Sequence, residues 1–176
     1  YENKNGNYLA IAAGSGITPI LSIIKHSLQS EEDSRFTLIY GNRNHNSIIF
    51  FEELEGLKNK YMERFSFINI LSRERTDAEI LYGRTDENKL AALAKLLPYN
   101  EFHEIYLCGP EELIFSANDY LQKQGIAKAS IHFELFTTPG QKHTAVNVKQ
   151  TAENTGPKSN VTIKLDGRSF DFDLNF

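Results

Sequence analysis

The residues best suited to chemistry begin with Gly14-Ser15-Gly16-Ile17-Thr18-Pro19, set between a short apolar run and an apolar helical repeat. Glycines at a strand-to-helix turn let the backbone approach a pyrophosphate, and the following helix offers free N–H groups and the positive end of its dipole. Pro19 suits a first helical turn, where its missing donor costs nothing. A short motif of this kind also serves as a plain connection that binds nothing. It departs from the dinucleotide fingerprint, since Pro19 stands where the third glycine would be. Tyr40-Gly41-Asn42-Arg43 occupies the place of the expected acidic residue, so a conventional Rossmann dehydrogenase is not expected. Cys108, followed by Gly109 and Pro110, is the single cysteine. One thiol excludes a disulfide framework, fits a reducing compartment, and falls short of the roughly four ligands an iron–sulfur cluster needs. His26, His45, His103, His132 and His143 show no metal-ligand spacing and read as surface or strand-end residues, so no metal site is expected.

These groups need a scaffold, and the apolar pattern supplies it. Strands are expected at 8–12, 36–40, 65–71, 104–108 and 129–133, with helices at 18–28, 47–61, 86–97 and 110–124. Five strands alternating with four helices call for an α/β fold, a five-stranded parallel sheet flanked by helices and joined by right-handed crossovers. In such sheets ligands bind outside the carboxyl ends of the strands, where the strand order switches, and the motifs fall at those ends. From 137 to about 160 the chain turns polar, with Pro139, Gly140, Gly156 and Pro157, and reads as a linker. Val161–Leu165, Asp166-Gly167 and Arg168–Leu174 then read as a hairpin, which is marginal alone and implies a second domain.

Bulk properties narrow the function. The chain has 176 residues and a net charge of −4 without a basic block, which argues against nucleic-acid binding. No apolar stretch approaches the roughly 20 residues that span a bilayer. With no signal peptide read from the sequence, a cytoplasmic location is expected. The chain starts at Tyr1, inside a polar run and without an initiator Met, so the expectation is a piece of a longer polypeptide.

Five motifs in order, Gly14–Pro19, Tyr40–Arg43, Ser72-Arg73-Glu74 with Gly83-Arg84, Cys108–Pro110 and Glu134-Leu135-Phe136, resemble the ferredoxin–NADP reductase superfamily over residues 7–136. The chain looks most like the branch fused to a C-terminal plant-type 2Fe-2S ferredoxin, the phenylacetyl-CoA epoxygenase reductase type. The resemblance implies an NAD(P)-binding oxidoreductase domain over 1–136, a linker over 137–160 and the truncated start of a 2Fe-2S ferredoxin over 161–176. It places a flavin-binding barrel before this chain and the cluster-binding cysteines after it, so FAD and 2Fe-2S would be held elsewhere in the full-length protein, with an oxygenase or another acceptor downstream.

The implied reaction is hydride transfer from a nicotinamide to the flavin, then single electrons to the cluster. It needs positioning rather than a protein acid or base. By resemblance Cys108 and Glu134 are the catalytic pair, Cys108 beside the nicotinamide with Gly109 and Pro110, and Glu134 orienting it after the fifth strand; free cysteines are more commonly small buried core residues, which is the other reading of Cys108. Phe136 would cover the flavin or pack on its own domain. Gly14, Ser15, Gly16, Thr18 and Pro19 would serve the pyrophosphate, Thr18 alternatively as a helix cap. Ser72 and Arg73 match the site for an adenosine 2′-phosphate, which suits the guanidinium fork, or else belong to a solvated loop, and Arg84 stands where the family carries a partner. NADP(H) is favoured, with Glu74 and Asp77 nearby leaving NADH open. Arg43 reads as a phosphate or carboxamide contact or as a surface ion pair. The competing reading is a regulatory nucleotide-binding module, although phosphate binding alone requires neither Cys108 nor Glu134.

Overall fold

The computed structural model describes residues 5–135 in full, and the backbone alone over 158–165 and 168–175. The chain divides into two units, Tyr1–Thr138 and Pro139–Phe176. In the first, β1 (Asn7–Ala13), β2 (Arg35–Asn42), β3 (Phe65–Leu71), β4 (Glu104–Gly109) and β5 (Ile131–Leu135) alternate with α1 (Ile17–Ser30), α2 (Phe51–Lys60), α3 (Glu87–Leu93) and α4 (Glu111–Lys123). The sheet is wholly parallel in the order β3-β2-β1-β4-β5, so the order switches between β1 and β4. The second unit contributes an antiparallel pair, β6 (Lys158–Leu165) and β7 (Arg168–Asn175).

Burial on both faces explains why β1 reads as an unbroken apolar run. Tyr8, Ala10 and Ala12 enter the core beneath α1 and α2. Leu9 and Ile11 enter the opposite core, with Leu90, Leu93, Leu113 and Ile114 of α3 and α4. Along α1, Ile17, Ile20, Leu21, Ile24 and Leu28 are buried at helical spacing, one stripe against the sheet. Each such side chain contributes on the order of 1.5–3 kcal/mol when fully buried.

Three of the boundaries that differ from expectation do so for an identifiable local reason. The helix expected from Ser47 begins instead at Phe51, because Asn44 and Ser47 close a separate capped turn and Phe50 adopts φ 59°. A left-handed residue cannot continue a right-handed helix. The third helix starts as expected, Asp86 Oδ1 accepting from the Lys89 N–H at 2.9 Å, but regular helix stops at Leu93 rather than Leu97. Pro98 disfavours helical backbone in the residue before it. The fifth strand lies two residues later than expected, after a tight turn at Lys128–Ser130. Glu134 therefore lies within β5 rather than beyond it. β6 begins at Lys158, inside the segment expected as linker; the rest of that linker and the Asp166-Gly167 turn lie outside the described residues.

Candidate functional site

The carboxyl ends of β1 and β4 converge on the first turn of α1. A Cβ at Gly16 would overlap the Cys108 carbonyl and stand 2.7 Å from the Gly109 nitrogen, so only glycine lets the helix start this close to β4. Gly109 meets the same crowding from the other side at φ 152°, its own absent Cβ lying 3.1 Å from the Ala13 nitrogen. No side chain caps the start of α1. The Thr18 hydroxyl donates instead to the Ser15 carbonyl at 3.0 Å, and Pro19 stands in the first turn. Thr18 is thus bonded within the turn without being the cap residue, a position filled by Gly16.

Beside this turn a cleft of about 410 Å³ opens, lined by Ser15, Thr18, Pro19, Ser22 and Glu134. It joins the first motif of the chain to the last. Ser22 escapes motif reasoning because it belongs to no motif; it lies one helical turn beyond Thr18, and the i, i+4 spacing would have put it on the same face. Cys108 pairs in register with Ala12 on one side and Glu134 on the other. Its side chain is buried in the core beneath α1, while Glu134 is exposed. Burial pushes the Cys108 thiol up, the Glu134 carboxylate adds to the effect, and the Gly109 backbone N–H opposes it. Pro110 is exposed at the start of α4.

A second group forms at the ends of β2 and β3. The backbone ladder runs two residues past the strands, Ser72 N–H donating to the Asn42 carbonyl at 2.9 Å and Arg73 N–H to the Arg43 carbonyl at 2.8 Å. Arg43 and Arg73 therefore leave the sheet as neighbours, both exposed, and neither has an ion pair among the described residues. Gly83 N–H donates to the Leu71 carbonyl, bringing 82–84 alongside. Arg75 lies over the Tyr82 ring at 5.5 Å. Glu74 is turned away to accept from the His45 N–H at 2.9 Å. Arg84 pairs loosely with Glu112 of α4 at 3.6 Å, an exposed contact of little energetic weight. Phe136 lies outside the described residues. Among the described residues no cluster of His, Cys, Asp or Glu suits a metal, and no helix is long and apolar enough to cross a membrane.

A doubly wound parallel sheet, with a glycine turn at the switch point and cations at the neighbouring strand ends, defines a nucleotide-binding α/β domain. The chain belongs to the oxidoreductase NAD-binding domain family, whose model matches residues 10–119, within the ferredoxin–NADP reductase superfamily. It is 42% identical over 173 residues to one of the subunits of 1,2-phenylacetyl-CoA epoxidase from Escherichia coli (strain K12), covering 98% of this chain and 47% of that protein. It is 33% identical over 170 residues to the ferredoxin reductase component of 3-ketosteroid-9-alpha-monooxygenase from Rhodococcus rhodochrous, covering 94% and 45%. The flavohem-like FAD/NAD-binding domain of nitric oxide dioxygenase from Vibrio cholerae O1 biovar El Tor superposes with a TM-score of 0.63 at 27% identity, over 77% of this chain and 53% of that one. The chain spans about half the length of the curated relatives it matches.

Proposed function

We propose that this chain is the NAD(P)H-binding part of a flavin-dependent electron-transfer oxidoreductase. The observation that carries the reading is the cleft uniting Ser15, Thr18 and Pro19 with Glu134, the register partner of Cys108. A nucleotide suits these residues, because the Gly14–Gly16 turn lets backbone come close and the start of α1 has no side-chain cap. When bound, the reduced nicotinamide supplies a hydride, destined for FAD and then, as single electrons, for a 2Fe-2S cluster.

The chain's own residues bind and orient. Gly14, Ser15, Gly16, Thr18 and Pro19 hold the pyrophosphate. Glu134 orients the nicotinamide, and Cys108, Gly109 and Pro110 shape the floor beside it. Ser72, Arg73 and Arg43 take the adenosine end, with Arg84 at the margin. The guanidinium groups of Arg43 and Arg73, without an ion pair among the described residues, favour NADPH over NADH. FAD and the cluster belong to other parts of a longer cytoplasmic protein, with a flavin barrel before residues 1–136, a linker over 137–160 and a ferredoxin beginning at 161–176. Two relatives, one from an epoxidase and one the ferredoxin reductase component of a monooxygenase, support an oxygenase as final acceptor.

The test is calorimetric titration with 2′,5′-ADP and 5′-AMP. The 2′-phosphate should strengthen binding, and Arg73→Ala should remove about 1.5–3 kcal/mol of that preference if the contact is charge-assisted. Equal affinity for the two ligands would assign NADH, and no binding of either would overturn the nucleotide site.

A further inference from the structure

We propose that the Tyr40 hydroxyl is a positioning group for the phosphate turn, setting its conformation by holding the Gly14 carbonyl. The assignment rests on the nucleotide-binding reading above and goes beyond it, because Tyr40 lies in the core and lines no cleft.

Tyr40 stands on β2 in register with Ala12 and is 0% exposed. Its hydroxyl reaches past the end of β1 to donate to the Gly14 carbonyl at 2.8 Å. Within the turn the Gly14 carbonyl also accepts from the Ile17 N–H, so the Tyr40 hydroxyl adds a tertiary bond to a local one. Gly14 sits at φ 54°, and a Cβ placed there would meet nothing within 4 Å, so side-chain packing does not set the turn at this residue. The Ile49 backbone N–H faces the same phenol, just before Phe50 with its own φ of 59°. One buried hydroxyl thus bonds to the phosphate turn and faces the segment leading into α2. The strand that carries it continues through Gly41 and Asn42 to Arg43, whose carbonyl receives the Arg73 N–H. A phenyl ring would fill the same core volume; what the hydroxyl adds is this bond. Burial pushes the Tyr40 phenol up, against the pull of the Ile49 N–H and the Asn42 side chain, which keeps it a hydrogen-bond donor across the working pH range.

Tyr40→Phe removes the bond and keeps the ring. Tyr99→Phe is the matched control, since Tyr99 is also buried and its hydroxyl also donates to a backbone carbonyl, Leu90 at 3.0 Å, within the opposite core. Affinities of the chain for NADP⁺, NAD⁺ and adenosine 2′-monophosphate are measured by titration, alongside urea unfolding of all three proteins. We expect Tyr40→Phe to weaken both dinucleotides about tenfold, equivalent to about 1.4 kcal/mol, while 2′-AMP, which has no pyrophosphate, binds as before. Tyr99→Phe should leave all three ligands unchanged even where it lowers stability to the same extent. Wild-type dinucleotide affinity in Tyr40→Phe, or an equal loss for 2′-AMP, would overturn the assignment. A wild-type chain that binds none of the three overturns the nucleotide site itself, a failure distinct from that of the Tyr40 role.

Discussion

Cys108 is held as a thiol: burial and the neighbouring Glu134 carboxylate both oppose the thiolate. Since the thiolate is the nucleophilic form, covalent chemistry at this sulfur does not fit its surroundings. What remains is shape, a small polarizable side chain one strand away from an exposed carboxylate at the mouth of the cleft. Interactions that align a reacting carbon lower the chemical rate when removed, whereas those that hold phosphates lower affinity. In the full-length enzyme, Cys108→Ala and Glu134→Ala should therefore slow flavin reduction by roughly 10-fold or more, about 1.4 kcal/mol of transition-state stabilisation, and leave nucleotide affinity nearly intact. Stopped-flow reduction across a range of NADPH concentrations separates the rate from the affinity. Wild-type rates in both variants would return Cys108 and Glu134 to a purely structural role.

Elements meet most tightly where α1 starts against the end of β4, with no room between Gly16 and the Cys108 carbonyl. Gly16→Ala drives a methyl group into backbone rather than into a yielding side chain, and overpacking of this kind costs about 1–3 kcal/mol. The variant should lose that stability in urea unfolding and lose nucleotide binding with it, because helix start and glycine turn are one structure; retention of both would show that the junction yields. The far end of α1 is secured differently. Arg64 donates to the carbonyls of Leu28 at 3.0 Å and Glu31 at 2.8 Å, satisfying acceptors that a helix end leaves open. Such long-range capping has no local signature, since Arg64 is 33 residues from Glu31. The sheet and the helices were legible because β1 and α1 carry strong periodicity, and the glycine turn because Gly14 and Gly16 stand between a strand and a helix. The start of α2 was not, because the left-handed backbone at Phe50 overrides an apolar run that reads as helix. Nor was the placement of β5, where only Ile131 is buried and the remaining four residues give no alternation to fix the frame. The place of Ser22 on the cleft and the bond from Tyr40 to Gly14 stayed hidden, since one needs the helix face and the other a contact across 26 residues.

At the scale of the whole first unit, the five-stranded sheet separates two apolar cores, and each core contains a proton-bearing side chain that burial keeps neutral. Tyr40 and Cys108 lie in the core beneath α1 and α2, Tyr99 in that beneath α3 and α4. Burial raises all three; Tyr120 adds to the effect at Tyr99 and Glu134 at Cys108. A group with a raised value in the folded state binds its proton more tightly there than in the unfolded chain. Its contribution is complete below the ordinary value, 9.0 for the thiol and 10.0 for the phenols, and declines as pH rises through the window up to the folded value. The net charge of −4 grows more negative over the same range, so self-repulsion acts in the same direction. Stability should thus change little with these groups from pH 7 to about 9 and then fall, with a slope of about 1.4 kcal/mol per pH unit for each group that ionises only on unfolding. Urea unfolding between pH 7 and 11 measures the slope directly. Tyr99→Phe removes one phenol from one core and should make the alkaline limb shallower by that single-group increment, while Cys108→Ala should move its onset to higher pH. A limb unchanged by both variants would mean that the buried protons do not set the alkaline limit, and that repulsion among surface charges does.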